Sequence, residues 1–501
     1  MSSPSVALRE WFVVILGGIT LGATAWLTGG VELYGLHSFW IGSLLTFLAA
    51  VLPMPAMWNG SDGLHGNQRN VVRLLCFPFF WISLLFLTYI TIQAFNPAWE
   101  QVYRDNGRWF VTTQTHVDWL PSSVESFYGL MNPFRVLVSF SAAFMLMWAI
   151  WVGVQRRRSL LALMWIFVLS GTGMAIVALL QDFTGATKVF WLVPSANKEF
   201  WGSFFYGNQG AAYLILTMTG CSALYFYYWK RCERRGQSGG PYLLLFFLLG
   251  VVYFSVCMAM SRGGILFGSL FMAGFLVCNC LRWMFAREAT LPLKARLLVA
   301  TVILAGCGFV WSMVDVKGLE GEWTKMQSQM QDLEQDSRYL VSKITWEMSQ
   351  KNMVLGAGAG SWMYIFPLYQ MSHPSIFYNR YRPPEPDHPN KRLREGIAKG
   401  RKFYKYAHND ILQFFYEFGI VGCSILLLGY VTLLGTMAWH SGAHAFSGLM
   451  LLIGLVVVCG HAFADFLFQA PAYWIALNAL ILLVVKLLVM EGKRSRRVEE
   501  R

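Results

Sequence analysis

The sequence predicts an all-α, polytopic integral membrane protein of about 12 transmembrane helices with one large extracytoplasmic loop. Composition is the first sign: 56% of the 501 residues are hydrophobic and 13% are charged, whereas a soluble domain is about a quarter charged. The second is a series of separate apolar tracts near the ~20 residues that a helix needs to cross a bilayer. The third is the distribution of basic residues, which gather in alternate short connections. The strict alternation of a membrane barrel is missing.

The tracts run approximately over 11–28, 39–57, 72–95, 134–154, 159–181, 209–229, 241–260, 264–284, 297–314, 411–437, 447–463 and 471–490. The first has no A-x-A cleavage site and reads as a permanent helix rather than a signal peptide. Arg156, Arg157 and Arg158 follow the fourth tract; Lys230, Arg231, Arg234 and Arg235 the sixth; Arg282, Arg287, Lys294 and Arg296 the eighth; Lys493, Arg494, Arg496 and Arg497 the twelfth. Short cytoplasmic loops are enriched in Lys and Arg. All four clusters fall on that side if the count is even and both termini are cytoplasmic.

Segments 96–131, 182–207 and 315–407 then face outward. In the last, Trp323, Met326, Met330, Leu333, Leu340 and Ile344 recur near helical spacing, which predicts an amphipathic helix on or near the membrane surface. Its second half, 372–405, is rich in Pro and basic residues. That stretch reads either as a solvated loop or as a seat for an anionic lipid head group, a lipid phosphate or an acidic glycan. The net charge of +13 is split between short loops, which points to membrane lipids and anionic ligands and away from nucleic acid. The nine cysteines avoid the long polar loops, so a disulfide framework is not expected.

Five stretches carry candidate chemistry. CMAMSRGGILF places Ser261 and Arg262 between two apolar tracts. An arginine at the centre of a membrane helix costs about 2.5–3.5 kcal/mol on insertion scales, so a turn at the outer boundary is expected, with both glycines allowing it. The planar fork of arginine suits a phosphate; the plainer alternative is a side chain snorkelling to the interface. YAHNDILQFFYEFGIVG opens a helix with His408, Asn409 and Asp410 and continues to Glu417. Asn409 or Asp410 can cap it, its N-terminus favours anions, and His408 is either a base or a surface residue. In DSRYLVSKITWEMSQKNMVLGAGAGSW, Arg338 could meet a phosphate or an acid, and the glycine run lacks the GK[ST] ending of a phosphate loop. Its glycines are expected to let the loop pass close to another backbone. GHAFADFLFQAPA puts His461 and Asp465 four residues apart on one helical face, the spacing of a metal pair or, better supported without a third ligand, of a structural hydrogen bond. FFYGNQGAAYL places Asn208 at a helix start.

These motifs in this order, over roughly residues 180 to 475, resemble the O-antigen ligase and polymerase superfamily, integral membrane glycosyltransferases of bacterial surface polysaccharide assembly. Gly207 and Asn208, the SRGG element, Arg338 with Trp346 and the Gly356, Gly358, Gly360, Trp362 run, the HNDILQFFYEFGIVG stretch and the His461, Asp465, Phe466 element carry the likeness. The first 180 residues contribute little to it, and the long basic insertion departs from it. The resemblance implies an N-terminal region 1–180, a catalytic region 181–475 containing loop 315–407, and a last helix with a basic tail, 476–501. It implies a multi-pass protein of the bacterial cytoplasmic (inner) membrane. There it would move a glycan from an undecaprenyl-diphosphate donor to an acceptor hydroxyl at the outer face, with no metal and no cofactor. The acceptor would be lipid A-core in a ligase, another lipid-linked glycan in a polymerase and a protein in an oligosaccharyltransferase. By position, Arg262 and Arg338 would hold the diphosphate and His408 would serve the acceptor, with Asn208, Ser261, Asn409, Asp410, Glu417, His461 and Asp465 in support. The rival class is a polysaccharide or lipid transporter. Transporters carry internal repeats and mid-membrane charges; here no repeat is evident and the candidate charges sit at one face.

Overall fold

The computed structural model describes residues 7–63, 65–105, 108–195, 197, 199–285, 337–382, 384 and 396–499. Its helices are α1 (Leu8–Ala23), α2 (Leu33–Val51), α3 (His65–Leu75), α4 (Pro78–Phe95), α5 (Pro133–Gly153), α6 (Arg157–Phe183), α7 (Gly207–Glu233), α8 (Pro241–Met258), α9 (Arg262–Phe285), α10 (Ser337–Lys351), α11 (Trp362–Gln370), α12 (Pro374–Phe377), α13 (Asp410–His440), α14 (Ala445–Ala464) and α15 (Pro471–Glu499). Ten of them, α2, α4 to α9 and α13 to α15, are long and apolar enough to cross a membrane. The first expected span is α1, a shorter helix of 16 residues. The expected span at 297–314 lies outside the described residues.

Local chemistry sets the helix starts. Proline occupies the first turn of α4, α5 and α8, where its missing N–H costs nothing and its fixed φ is already helical. The side chains of Asn132 and Asn409 cap α5 and α13 by accepting from Arg135 N at 2.8 Å and Leu412 N at 3.0 Å. Such caps contribute about 0.5–2 kcal/mol each. Burial then sorts the bundle. The apolar window of α7 is 100% buried and that of α15 94%, whereas that of α8 is 28%, so α7 and α15 form the centre and α8 lies at the periphery.

The two ends of the bundle differ. At one, Glu10 accepts from the backbone N–H groups of Gln155 and Arg156. Glu491 there meets Arg157 at 3.1 Å and His444 at 3.8 Å, and Arg282 covers the Trp229 ring. The described parts of all four basic clusters therefore share one end. At the other end lie the described parts of the three polar segments, with short strands β1 (Pro97–Tyr103), β2 (Trp109–Thr113) and β3 (Ser123–Glu125) in the order β2-β1-β3, the hairpin β4 (Lys188–Val189) with β5 (Val193–Pro194), and the ribbon β6 (Tyr378–Arg382) with β7 (Ile397–Arg401).

Of the expected amphipathic helix, α10 is described and 322–336 lies outside the described residues. Val341, Ile344 and Met348 on α10 are fully enclosed, packed in one cluster with Trp362, Phe366 and Tyr416. That face of α10 is therefore buried in protein rather than laid on the membrane, while Trp323, Met326, Met330 and Leu333 of the expected helix lie outside the described residues.

Candidate functional site

The expected glycine contact is found where α13 breaks. Gly419 has φ 61° and ψ −171°, which frees backbone groups that a membrane helix must pair. The 353–360 segment takes them up. Ile420 N donates to Met353 O and Val421 N to Val354 O, while Ala357 N and Gly358 N donate to Tyr416 O and Glu417 O. Gly356 and Gly358 have φ of 70° and 99°, and a Cβ on either would collide with backbone, of Glu417 and of Ser122 and Ser123 respectively. The Glu417 carboxylate braces the turn, accepting from Gly360 N at 2.9 Å and Gln413 Nε2 at 2.9 Å. Glu417 thus holds the loop and does not line the main cavity.

That cavity has a volume of about 1420 Å³ and lies at the end of the bundle that carries the polar segments. It exceeds the roughly 300–1,000 Å³ usual for small-molecule sites, which suits a large, extended ligand. Asn208, Arg262, Arg338, His408, Asn409, His461 and Asp465 all line it, so the sequence candidates scattered over some 250 residues converge. Arg262 opens α9 right after a turn in which Met260 has φ 48°. The turn thus belongs to Met260, a correction to the expectation that the two glycines make it. Gly263 and Gly264 instead sit in the first helical turn, where their missing Cβ atoms admit the His461 ring and the Ala211 methyl.

Asp465 is the centre of the polar network and only 3% exposed. It follows the last residue of α14, where the chain turns extended. One oxygen accepts from Asn208 Nδ2, and Ser261 Oγ donates to Asn208 Oδ1 at 2.7 Å. Arg338 stands 3.9 Å from the same carboxylate oxygen and reaches Ala464 O at 3.4 Å. The other oxygen accepts from Phe466 N at 2.9 Å and lies 3.6 Å from His408 Nδ1. Burial pushes the Asp465 carboxyl up, but His408, Arg338 and His461 more than offset this and hold it below its ordinary value. His408 has φ 54°, a left-handed conformation that costs a non-glycine residue roughly 1–3 kcal/mol and clusters at functional sites. Asp410 takes no part in the cavity: its carboxylate accepts from Phe468 N at 2.7 Å and Gln469 Nε2 at 3.1 Å, tying the start of α13 to the 466–470 turn.

His461 departs from expectation. Neither ring nitrogen has a hydrogen-bond partner among the described residues, so the structural bond to Asp465 is not made. The ring stacks on Phe267 instead, with centroids 5.2 Å apart. Lys343 and Glu199, which no sequence motif marked, also line the cavity beside Trp346. The signal for Lys343 was the polar face of α10: Arg338, Ser342 and Trp346 repeat there at four-residue spacing, away from the apolar stripe, and Lys343 adjoins them. No group of three or more His, Cys, Asp or Glu side chains among the described residues is placed to hold a metal ion.

The chain has a match among known families. Residues 200–427 match the family described as O-antigen ligase. That range ends inside α13 and takes in the arginines and His408. No curated protein matches the chain.

Proposed function

On the premise that the chain belongs to the O-antigen ligase superfamily through residues 200–427, we propose that it transfers a glycan from an undecaprenyl-diphosphate donor to an acceptor hydroxyl, of the lipid A-core type. The reading places it in the bacterial inner membrane, with both termini cytoplasmic and the cavity at the outer face. The observation that carries it is the convergence of Arg262, Arg338 and His408 on one cavity.

The chemistry follows from those side chains. A diphosphate leaves with negative charge, and cationic donors on the cavity wall stabilise the charge that develops as the bond to the anomeric carbon breaks. Arg262 and Arg338 take that role. The acceptor oxygen attacks the same carbon and gives its proton to His408. His408 Nδ1 faces Asp465 at 3.6 Å, just beyond hydrogen-bond length; a small rotation of the ring on substrate binding makes Nδ1 the donor to Asp465 and leaves Nε2 as the accepting nitrogen, so Asp465 positions the ring and does not touch the reacting atoms. Asn208 and Ser261 in turn fix Asp465. No carboxylate pair of the kind that cleaves glycosides is required. Polymerisation or transfer to a protein hydroxyl would use the same steps with a different acceptor.

The test is transfer by the purified protein in nanodiscs, supplied with defined undecaprenyl-diphosphate glycans and separate lipid A-core, lipid-linked glycan and protein acceptors. Transfer to any one of them supports the reaction and names the acceptor. A protein that binds the donor yet transfers to none, and instead carries it across the bilayer, would place the chain in the transporter class.

A further inference from the structure

The β4–β5 hairpin carries a turn that folding alone does not explain. Its central residues, Phe190 and Trp191, have φ of 53° and 60°, and Leu192 N closes the turn on Val189 O at 3.1 Å. Two left-handed residues suit a tight hairpin, but those positions favour Gly, Asn or Asp, and a bulky side chain there is an outlier. Such strain persists only where the surroundings compensate it. Phe190 stacks on Trp26, with ring centroids 6.1 Å apart. Trp191 makes one hydrogen bond, from Nε1 to Thr184 Oγ1 at 2.9 Å. Yet Trp191 and Val193 stay exposed, and Leu192 is exposed over 77% of its surface.

Two helices set the depth of this tip. Glu10, near the start of α1, accepts from the N–H groups of Gln155 and Arg156 just before α6, so both helices leave the same end of the bundle at one level. α1 has 16 residues, which spans about 24 Å at ~1.5 Å per residue and falls short of a hydrocarbon core of about 30 Å. Trp26, just past its end, donates from Nε1 to Ser170 Oγ at 2.9 Å, near the middle of the 27 residues of α6. The hairpin returns from the far end of α6 and lays Phe190 on Trp26, in the place that a longer α1 would fill. The exposed residues Leu169, Ile176, Leu180 and Phe183 of α6 recur at helical spacing as one apolar stripe, which ends beside Thr184, the partner of Trp191.

We propose that the β4–β5 hairpin is an interfacial anchor that seats Trp191, Leu192 and Val193 in the phospholipid leaflet on the cavity side, above the short helix α1. Lipid is favoured over a protein partner because the hairpin continues the apolar stripe of a helix that is itself long and apolar enough to span the membrane. Tryptophan is enriched at that boundary, with its ring in the apolar zone and its N–H among polar groups. The amides of the tip are paired within the protein: Phe190 N with the Gln181 side-chain oxygen at 3.0 Å, Trp191 N with Lys188 O at 3.0 Å and Leu192 N with Val189 O. Backbone that leaves water requires such pairing. The only charges from 182 to 194 are Asp182 and Lys188, which cancel. Asn197, three residues past the hairpin, lines the main cavity, so the anchor holds one edge of that cavity at the bilayer surface. The anchor is independent of the transferase chemistry.

Photocrosslinking tests it without turnover. p-Benzoylphenylalanine is placed at Leu192 and, for comparison, at the exposed Ser238 at the opposite end of the bundle, in the full chain in nanodiscs of phosphatidylcholine and phosphatidylglycerol. On irradiation the peptide containing position 192 should gain the mass of one phospholipid, at a yield about tenfold above that at position 238, as burial of an apolar tip in the leaflet requires. Val193 gives a second position for the same probe if the first protein fails to assemble. A yield at both Leu192 and Val193 no higher than at Ser238 overturns the proposal, because the tip then lies in water. Adducts joining two chains in place of lipid overturn it too, because the tip is then a face between copies.

Discussion

Asp465 Oδ1 lies 3.6 Å from His408 Nδ1 while its other oxygen accepts from Asn208. One buried carboxylate therefore joins the start of α7, the end of α14 and the residue before the cap of α13. Replacing His408 by Ala is expected to cut turnover per folded molecule by about 10²–10⁴-fold, the usual scale for a lost general base, with donor affinity retained. Asp465→Asn should lower turnover while keeping donor binding, because the ring loses the charge that orients it. Asp465 is held below its ordinary value, so its stabilisation is full above the unfolded carboxylate pKa of about 3.9 and fades as pH falls through the lower folded value. The melting-temperature gap between wild type and Asp465→Asn should accordingly close at acid pH. Unchanged turnover in His408→Ala would remove it from the chemistry.

Arg262 opens a helix on the cavity wall. Lysine keeps its charge but not the planar fork that grips two phosphate oxygens. Arg262→Lys should raise the donor KM strongly with melting temperature near that of wild type. On the proposed role of the two arginines at the leaving group, transfer should also persist in EDTA. Activity lost on chelation and restored by Mg²⁺ would replace the arginine assignment with a metal.

The broken helix gives a prediction about folding rather than chemistry. Gly358 has φ 99° and no space for a side chain beside Ser122 and Ser123, so Gly358→Ala should sharply reduce the yield of folded protein. Glu417→Gln turns a carboxylate oxygen into a donor facing either Gly360 N or Gln413 Nε2. A cost of about 1–3 kcal/mol is expected, seen as a lower melting temperature, with turnover per folded molecule little changed. A stable but inactive Glu417→Gln would bring Glu417 into the mechanism.

Orientation is open to direct labelling. The described parts of the basic clusters gather at one end, and the cavity lies at the other, so cysteines placed at Ser238 and Ser375 should differ in access. An impermeant thiol reagent added outside intact cells should label the Ser375→Cys protein and spare Ser238→Cys. The reverse pattern would put the cavity on the cytoplasmic side and end the undecaprenyl-diphosphate reading.

Periodicity and charge made most of the bundle readable, because a bilayer imposes helix length and loop charge on the sequence directly. The convergence of Arg262, Arg338 and His408 was readable only as separate motifs. Nothing local in SRGG or HND states that they meet; packing of α7, α9, α13 and α14 decides it. The short strands were invisible since they lie in polar segments where neither period dominates. The turn at Met260 was misassigned to the glycines because a sequence does not show whether a glycine serves a bend or makes room for a neighbour. At Gly263 it makes room for a histidine from another helix, a fact of tertiary structure alone.

That histidine gives the last prediction. His461 is 1% exposed, yet neither ring nitrogen has a partner among the described residues, and its ring forms part of the cavity wall. A buried polar group left unpaired costs about 1–3 kcal/mol, and a hydroxyl or phosphate oxygen of the bound donor would supply the missing bond. His461→Phe keeps the ring stack on Phe267 and removes the orphaned nitrogens. Its melting temperature without ligand should equal or exceed that of wild type, while its donor affinity falls and its stabilisation by added donor shrinks. A variant that melts early but binds donor normally would make His461 a packing residue and leave the cavity to Arg262, Arg338 and His408.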